Sequence, residues 1–230
     1  MSKISEHLEA HKGEYKPWLI EGEQGRVDIK VLSYLKDIEN GFFVEAGALD
    51  GLFMSNTKLL EDLGWNGILI EPSRKAYEKC AKNRRSLVIN CALVSKDYPG
   101  SSVYGDFWFD GEDGMGAWSG INKNPYGVRA VAEAHARTLS SILKEQGIKK
   151  VDFFNLDVEG YELEVLKGID FSEVEIAYIL VEVNLKDYSL EEMDSYLGQF
   201  GYKNIGCLSG FTEDMKGWDG SHQDYLFRHG

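Results

Sequence analysis

The chain has 230 residues, of which 43% are hydrophobic and 12% aromatic, and its formal net charge at pH 7 is −13. This length supports one substantial hydrophobic core but is short for two independent domains. The negative charge disfavours a nucleic-acid partner, because binding to phosphates requires a basic surface. The sequence has no apolar run of membrane-spanning or signal-peptide length, and its three cysteines lack CxxC spacing. We therefore expect a cytoplasmic protein without a membrane span.

Helical and apolar strand-like segments alternate along the chain. Helices are predicted within 1–25 and over 26–38, 58–63, 73–83, 130–145, 162–167 and 190–200. Strands are predicted over 42–46, 67–71, 87–94, 151–156, 176–183, 202–208 and 223–228. This rhythm predicts a doubly wound, Rossmann-like α/β domain over 41–230, with a mostly parallel seven-stranded sheet that ends in an antiparallel hairpin. We expect residues 1–40 to form a helical lead-in that packs on it.

One segment, 99–127, breaks this alternation. It is rich in glycine and aromatic residues. We interpret it as a long insertion over the edge of the sheet, and long irregular segments in a small domain are more often functional than idle. Its aromatic side chains can stack on sugar faces, although a loop that merely covers the core would use the same residues.

The loop after the first strand contains two spaced glycines. Residues 45–51 form an ExGxxxG pattern, which differs from the GxGxxG of pyrophosphate-binding loops. Such a loop suits S-adenosylmethionine, which has no pyrophosphate and carries two cationic groups that favour nearby acids. The glycines let the backbone approach the ligand, and free N–H groups where the next helix begins can meet its carboxylate. The predicted contacts in this region are Glu45, Gly47, Ala48, Asp50, Gly51, Ser55 and Asn56.

The second strand ends in an acidic residue, Glu71, about 20 residues after the glycine loop. A carboxylate at this position can accept hydrogen bonds from both hydroxyls of a ribose. The alternative is that Glu71 is a surface or capping residue before Pro72. The end of the third strand, Asn90 to Ala92, falls where the edge of an adenine would lie. We therefore add Glu71, Pro72 and Ala92 to the candidate cofactor contacts.

Three longer motifs extend these observations. They are SNT at 55–57, GWxGxLIEP at 64–72 and LDVEGxELEVLKG at 156–168. Together with ILVEVN at 179–184, the segment from residue 41 to about 184 resembles the FkbM-type methyltransferases, including the variant similar to the animal Star protein. The resemblance implies the methyltransferase version of the Rossmann-like fold. It also implies O-methylation with S-adenosylmethionine, often on a sugar or glycan hydroxyl.

Candidate catalytic residues follow the fourth strand. Asp157 closes that strand, and Glu159 lies two residues further on. Either carboxylate could act as the base or hold the sulfonium, while Glu159 could instead be an acid that stabilises the start of the next helix. His222, just before the last strand, is a third candidate base. His135 is expected on the surface of the preceding helix.

A metal site is a further hypothesis. Glu182 and Asn184 lie near the end of the fifth strand, beside Asp157 in the expected sheet. Two carboxylates and an amide are oxygen ligands that suit Mg²⁺ or Mn²⁺. Since Glu182 and Asn184 lie two positions apart on the strand and face the same side, both could also simply line the cleft.

Four readings of the function stay open from the sequence. The first is the O-methyltransferase just described, and the second is a methyltransferase for a non-sugar small molecule or an amine. The third is a cofactor-binding or regulatory module without catalysis. A nicotinamide oxidoreductase is the least favoured, because GxGxxG is absent.

Overall fold

The computed structural model describes residues 3, 4, 6, 27–105, 132–184, 188–209 and 222–230. The strands are β1 (Phe42–Ala46), β2 (Asn66–Ile70), β3 (Leu87–Ile89), β4 (Ala92–Leu93), β5 (Ser102–Gly105), β6 (Ala132–Arg137), β7 (Lys150–Leu156), β8 (Glu175–Asn184), β9 (Tyr202–Cys207) and β10 (His222–His229). The helices with fully described bounds are α1 (Val27–Leu35), α2 (Lys58–Asp62), α3 (Arg74–Asn83), α4 (Leu139–Glu145), α5 (Glu162–Leu166) and α6 (Leu190–Gly198).

The main sheet has seven strands in the order β3-β2-β1-β7-β8-β10-β9. β1 pairs in parallel with β2 on one side and with β7 on the other, so the strand order reverses at β1. β10 is antiparallel to both β8 and β9. The mostly parallel sheet with an antiparallel end is therefore confirmed. Ligands of such sheets bind at the carboxyl ends of the strands beside the reversal point, which here lies between β1 and β7.

Apolar side chains cover both faces of this sheet. Val44, Phe154 and Ile179 belong to one core cluster, which includes residues of α4, α5 and α6. Phe43 and Phe153, their neighbours along the strands, belong to a second cluster with residues of α1, α2 and α3. Successive strand residues thus point to opposite faces, as in sheets buried on both sides. Within the described ranges, no helix combines the length and apolar character that crossing a membrane requires.

The predicted third strand, 87–94, was wrong as one element. It divides into β3 in the main sheet and β4, which pairs with β6 in a smaller sheet of order β4-β6-β5. The break lies at Asn90, whose Nδ2 donates to the carbonyl oxygens of Glu71 (2.8 Å) and Pro72 (3.0 Å). These bonds hold the chain at the end of β2 and divert it from the main sheet.

The predicted helix over 130–145 was also wrong in its first half. Residues 132–137 form β6, and α4 begins only after Thr138, whose Oγ1 accepts from the amide of Ser141 at 3.1 Å. Along β6, Ala134 is buried while Glu133 and His135 are exposed, which is the alternation of a half-buried strand. His135 therefore lies on a strand. Of the predicted insertion, 99–105 is described and contains β5, which pairs antiparallel with β6; 106–127 lies outside the described residues.

Candidate cofactor and catalytic site

The glycine loop after β1 packs against the ends of the two neighbouring strands. The amides of Gly47 and Ala48 donate to the carbonyl oxygen of Ile70 at the end of β2. Gly47 has a φ of +83°, and a Cβ there would lie 1.8 Å from the carbonyl oxygen of Asp157. Only glycine therefore fits at this position. The loop sits at the reversal point of the sheet, where the sequence pattern placed it.

Glu71 connects this loop to the next helix. Its carboxylate accepts from the amide of Leu49 at 2.8 Å and from the amide of Ser73 at 2.7 Å, and only 3% of the residue is exposed. Burial raises the pKa of Glu71 to about 7, although both amide hydrogen bonds oppose the shift. Leu49 itself has a φ of +49°, a strained conformation for a side chain of this kind. Such local strain is concentrated at binding sites.

Glu45 is held by the protein itself. Its carboxylate accepts from the hydroxyl groups of Ser55 (2.9 Å) and Thr57 (2.7 Å) and from the amide of Asn56 (3.0 Å). The amides of Thr57 and Lys58 donate to Ser55 Oγ. The expectation that amides at this helix start are free for a ligand's carboxylate was therefore wrong, because internal acceptors occupy them.

The remaining predicted contacts lie in the loop, at its end or in β4. Asp50 Oδ1 accepts from the amides of Leu52 and Phe53, which closes the turn that contains Gly51. Asn56 Nδ2 donates to Asn155 Oδ1 on β7 at 3.0 Å, and thereby joins the loop to the central strand. Ala92 is buried in β4 in a small apolar cluster with Val94 and Val103. Direct contact of these residues with the cofactor stays a prediction.

Acidic side chains gather at the carboxyl ends of β7 and β8. Carboxylate oxygens of Asp157, Glu162 and Glu182 all lie within 4.8 Å of one another. Glu182 also pairs across the sheet with Asp224 of β10. Burial raises the pKa of Asp157, and the charges of Asp224 and Glu162 raise it further. Burial and the charge of Asp157 likewise raise the pKa of Glu182. The interaction with Glu182 opposes part of the rise in the pKa of Asp157.

Glu162 shapes the loop between β7 and α5. It is 0% exposed, and its Oε1 accepts from the amides of Val158 and Gly160, both at 2.9 Å. The Tyr188 hydroxyl donates to Glu162 Oε2 at 2.5 Å and lies 2.8 Å from the carbonyl oxygen of Glu182. Glu159, inside this loop, has a φ of +60°. Glu162 thus holds the loop that follows Asp157, and Tyr188 in turn holds Glu162.

His222 lies at the same edge. Its Nε2 is 3.9 Å from Glu182 Oε1, and the residue pairs with Asn184 across the sheet. Three further residues of this edge, Glu162, Tyr188 and Asp224, were not predicted from the sequence. Only Asp224 had a usable signal: in an antiparallel pair, residues two positions apart face the same side, so placing His222 at the cleft also places Asp224 there.

These features define a class of protein. The sheet is open and has one antiparallel strand next to its edge, the glycine loop tolerates no side chain at Gly47, and a buried acid directly follows β2. This combination fits an adenosyl ligand. It characterises an S-adenosylmethionine-dependent methyltransferase. The family model described as the methyltransferase FkbM domain matches residues 45–203, and the chain belongs to this family. A search of curated protein sequences gave no significant match.

Solved structures of methyltransferases have a similar overall architecture. TrmK from M. capricolum, in complex with S-adenosyl-homocysteine, is 11% identical with a TM-score of 0.46, over 87% of this chain and 68% of that one. A SAM-dependent methyltransferase from Clostridium acetobutylicum is 8% identical with a TM-score of 0.48, over 91% and 93%. A putative RNA methyltransferase from Pyrococcus horikoshii is 14% identical with a TM-score of 0.46, over 100% and 98%. Identities this low carry no information about the acceptor.

Proposed function

We propose that this methyltransferase acts on a hydroxyl group, and that Asp157 is the residue next to the reacting atoms. The observation that supports this is the acidic edge formed by Asp157 and Glu182, with His222 beside it. A hydroxyl must lose its proton during methylation, and a base is most effective when its pKa lies near the working pH. Burial raises the pKa of Asp157 to about 8, which meets that requirement, and it raises the pKa of Glu182 as well.

S-adenosylmethionine supplies an electrophilic methyl group on a sulfonium, and the chain's own residues then have two tasks. Glu71 would accept hydrogen bonds from the ribose hydroxyls. The glycine loop would bind the rest of S-adenosylmethionine at the reversal point of the sheet. Asp157, at the carboxyl end of β7 beside that loop, would accept the proton as the oxygen–methyl bond forms and the methyl–sulfur bond breaks. Alignment of these groups contributes most of the rate in such a displacement.

Two other residues could be the base in place of Asp157. Glu159 lies in the loop that Glu162 fixes, and its charge contributes to the raised pKa of Glu182. His222 lies close to Glu182 and could relay a proton from the mouth of the cleft. Asp157 is favoured because it directly follows β7 and its carbonyl oxygen already contacts Gly47.

For the acceptor, we propose a sugar or glycan hydroxyl. Family membership supports this class, and so does the hairpin of β5 and β6. Tyr104 on β5 is 59% exposed and its hydroxyl donates to Glu133, so an aromatic ring and a carboxylate lie together on the outer face. Sugars are bound by such pairs of ring and polar group. The other side of the hairpin packs near Tyr161, in the segment that follows Asp157.

The alternatives are an acceptor amine, a non-sugar small molecule, or a module without catalysis. The formal charge of −13 argues against a polyanionic acceptor such as a nucleic acid. The three free cysteines, Cys80, Cys91 and Cys207, support a cytoplasmic location. We also propose that the insertion at 99–127 supplies acceptor contacts.

A divalent cation is a second proposal for the same edge. Asp157 and Glu182, with Asn184 as the amide ligand, would hold Mg²⁺ or Mn²⁺, and the structure adds Glu162 to the carboxylates within reach. A bound cation would lower the pKa of the attacking hydroxyl, which helps with an alcohol as weakly acidic as that of a sugar. A vicinal diol would then be the natural acceptor.

The test is methyl transfer from labelled S-adenosylmethionine to a panel of monosaccharides, glycans, phenols and amines. We expect label on sugars, with turnover strongly reduced in Asp157→Asn. Label on amines alone would contradict the hydroxyl proposal. Absence of label on the whole panel by a protein that binds S-adenosylhomocysteine would favour the non-catalytic module.

A further inference from the structure

A buried arginine, Arg84, lies directly behind the glycine loop. Its side chain is 0% exposed, and the side chains of the two acids that pair with it, Glu45 and Glu61, are each 2% exposed. Arg84 follows α3, which packs on the face of the sheet next to the loop. Burying such a charge is unfavourable unless its donors are satisfied, and an apolar side chain would often be more stable. Its presence therefore suggests a role beyond stability.

The Arg84 guanidinium contacts the loop at several points along its length. Nη1 donates to the carbonyl oxygen of Gly51 and to Ser55 Oγ, both at 3.0 Å, and Nη2 donates to Thr57 Oγ1 at 3.0 Å. A Cβ on Gly51 would lie 2.6 Å from Arg84 Cγ, so the loop also packs tightly on the arginine side chain. One planar group therefore fixes the middle and the end of the loop together.

The same hydroxyl groups connect Arg84 to the strand below. Ser55 and Thr57 each donate to the Glu45 carboxylate while each accepts from Arg84. This arrangement ties the end of β1 to the loop that follows it. Between these anchors, Leu49 and Met54 have positive φ values of 49° and 54°, conformations that cost free energy unless neighbouring contacts hold them.

We propose that Arg84 is a positioning residue for S-adenosylmethionine, acting through Glu45, Ser55 and Thr57 to hold the glycine loop in its ligand-binding shape before the ligand arrives. A loop ordered in advance loses less conformational entropy on binding, and the affinity is correspondingly higher. Lysine cannot replace arginine in this role, because a single ammonium cannot reach separate acceptors in the plane of the guanidinium fork. The proposal rests on the cofactor that the family uses.

Arg84, Glu45, Ser55 and Thr57 together are called the Arg84 cluster. The experiment compares two variants of this cluster with one control. Arg84→Lys keeps the charge but loses the fork, and Thr57→Val keeps the shape but loses the hydroxyl that bridges Glu45 and Arg84. The control is Asp152→Asn, which weakens the hydrogen bond from the amide of Phe42 (2.9 Å) at the other end of β1, far from the loop. Binding of S-adenosylhomocysteine is measured by calorimetry at a temperature where circular dichroism shows each variant folded.

We expect both cluster variants to bind S-adenosylhomocysteine about tenfold to hundredfold more weakly than the parent, the scale for losing hydrogen bonds to a charged group. The control should bind within about twofold of the parent, even if its melting temperature falls as far as those of the Arg84 and Thr57 variants. In the unliganded protein, amides of residues 48–54 should exchange hydrogen faster in the cluster variants and not in the control.

Affinity within about twofold of the parent in Thr57→Val and in any folded Arg84→Lys would overturn the proposal. Should Arg84→Lys fail to fold, Thr57→Val decides the question alone. An equal loss of affinity in Asp152→Asn would show that Arg84 acts only through global stability. A parent protein that does not bind S-adenosylhomocysteine would instead contradict the cofactor assignment itself, so the two failures are distinguishable.

Discussion

The buried carboxyl of Glu71 makes cofactor affinity depend on pH. Burial raises the pKa of Glu71 to about 7, so at pH 6 only about one molecule in eleven carries the carboxylate in the free protein. Ribose hydroxyls bind best to the carboxylate, and protonation therefore opposes binding. We expect the dissociation constant of S-adenosylhomocysteine to be about tenfold higher at pH 6 than at pH 8.5, with the rise beginning as the pH falls through about 7.

The assay is isothermal titration between pH 5.5 and 8.5 on the parent and on Glu71→Gln. The glutamine cannot accept from both Leu49 and Ser73 as the carboxylate does, so it should bind about 1–3 kcal/mol more weakly at pH 8.5 and show little dependence on pH through this range. In the absence of ligand, pH acts on folding stability, and its effect has the opposite sign to its effect on affinity. The raised pKa stabilises the protonated form, so this contribution to stability is present below the unfolded pKa and lost as the pH rises through about 7. An equal pH dependence in both proteins would refute the role of Glu71.

Three further predictions concern the acidic edge. Asp157→Asn should lower kcat about 10²-fold to 10⁴-fold while the affinity for S-adenosylhomocysteine, measured by calorimetry, stays near that of the parent. Tyr188→Phe should lower the free energy of unfolding by about 1–3 kcal/mol, measured in urea, because Glu162 loses its buried donor. Chelator should reduce turnover and Mg²⁺ or Mn²⁺ should restore it in the parent but not in Glu182→Gln or Asn184→Ala; full turnover in chelator would exclude the metal.

The strand ends were predictable because largely apolar strand segments stop at acidic residues in this sequence. Glu71 and Asp157 directly follow such runs, and parallel strands bring their carboxyl ends to one edge. The placement of Glu182 at that edge followed from the predicted order of the strands. These placements required only periodicity and topology.

The errors came from contacts distant in sequence. Nothing near Asn90 indicates that its side chain binds the carbonyl oxygens of Glu71 and Pro72 and ends β3 there. The burial of Glu162 depends on Tyr188, which lies 26 positions away. Arg84, 39 positions from its partner Glu45, has the sequence context of an ordinary surface arginine at the end of a helix. The division of the chain at residue 40 stays a prediction.

The most direct measurement identifies the atom that receives the methyl group. The protein is incubated with ¹³C-methyl-labelled S-adenosylmethionine and a saccharide acceptor found in the panel, and the product is examined by NMR and fragment-ion mass spectrometry, with Asp157→Asn as the control. We expect one labelled methyl ether on a ring hydroxyl with the parent, and a rate of formation about 10²-fold to 10⁴-fold lower with the control. Label on nitrogen or carbon, or an equal yield from the control, would contradict hydroxyl methylation assisted by Asp157.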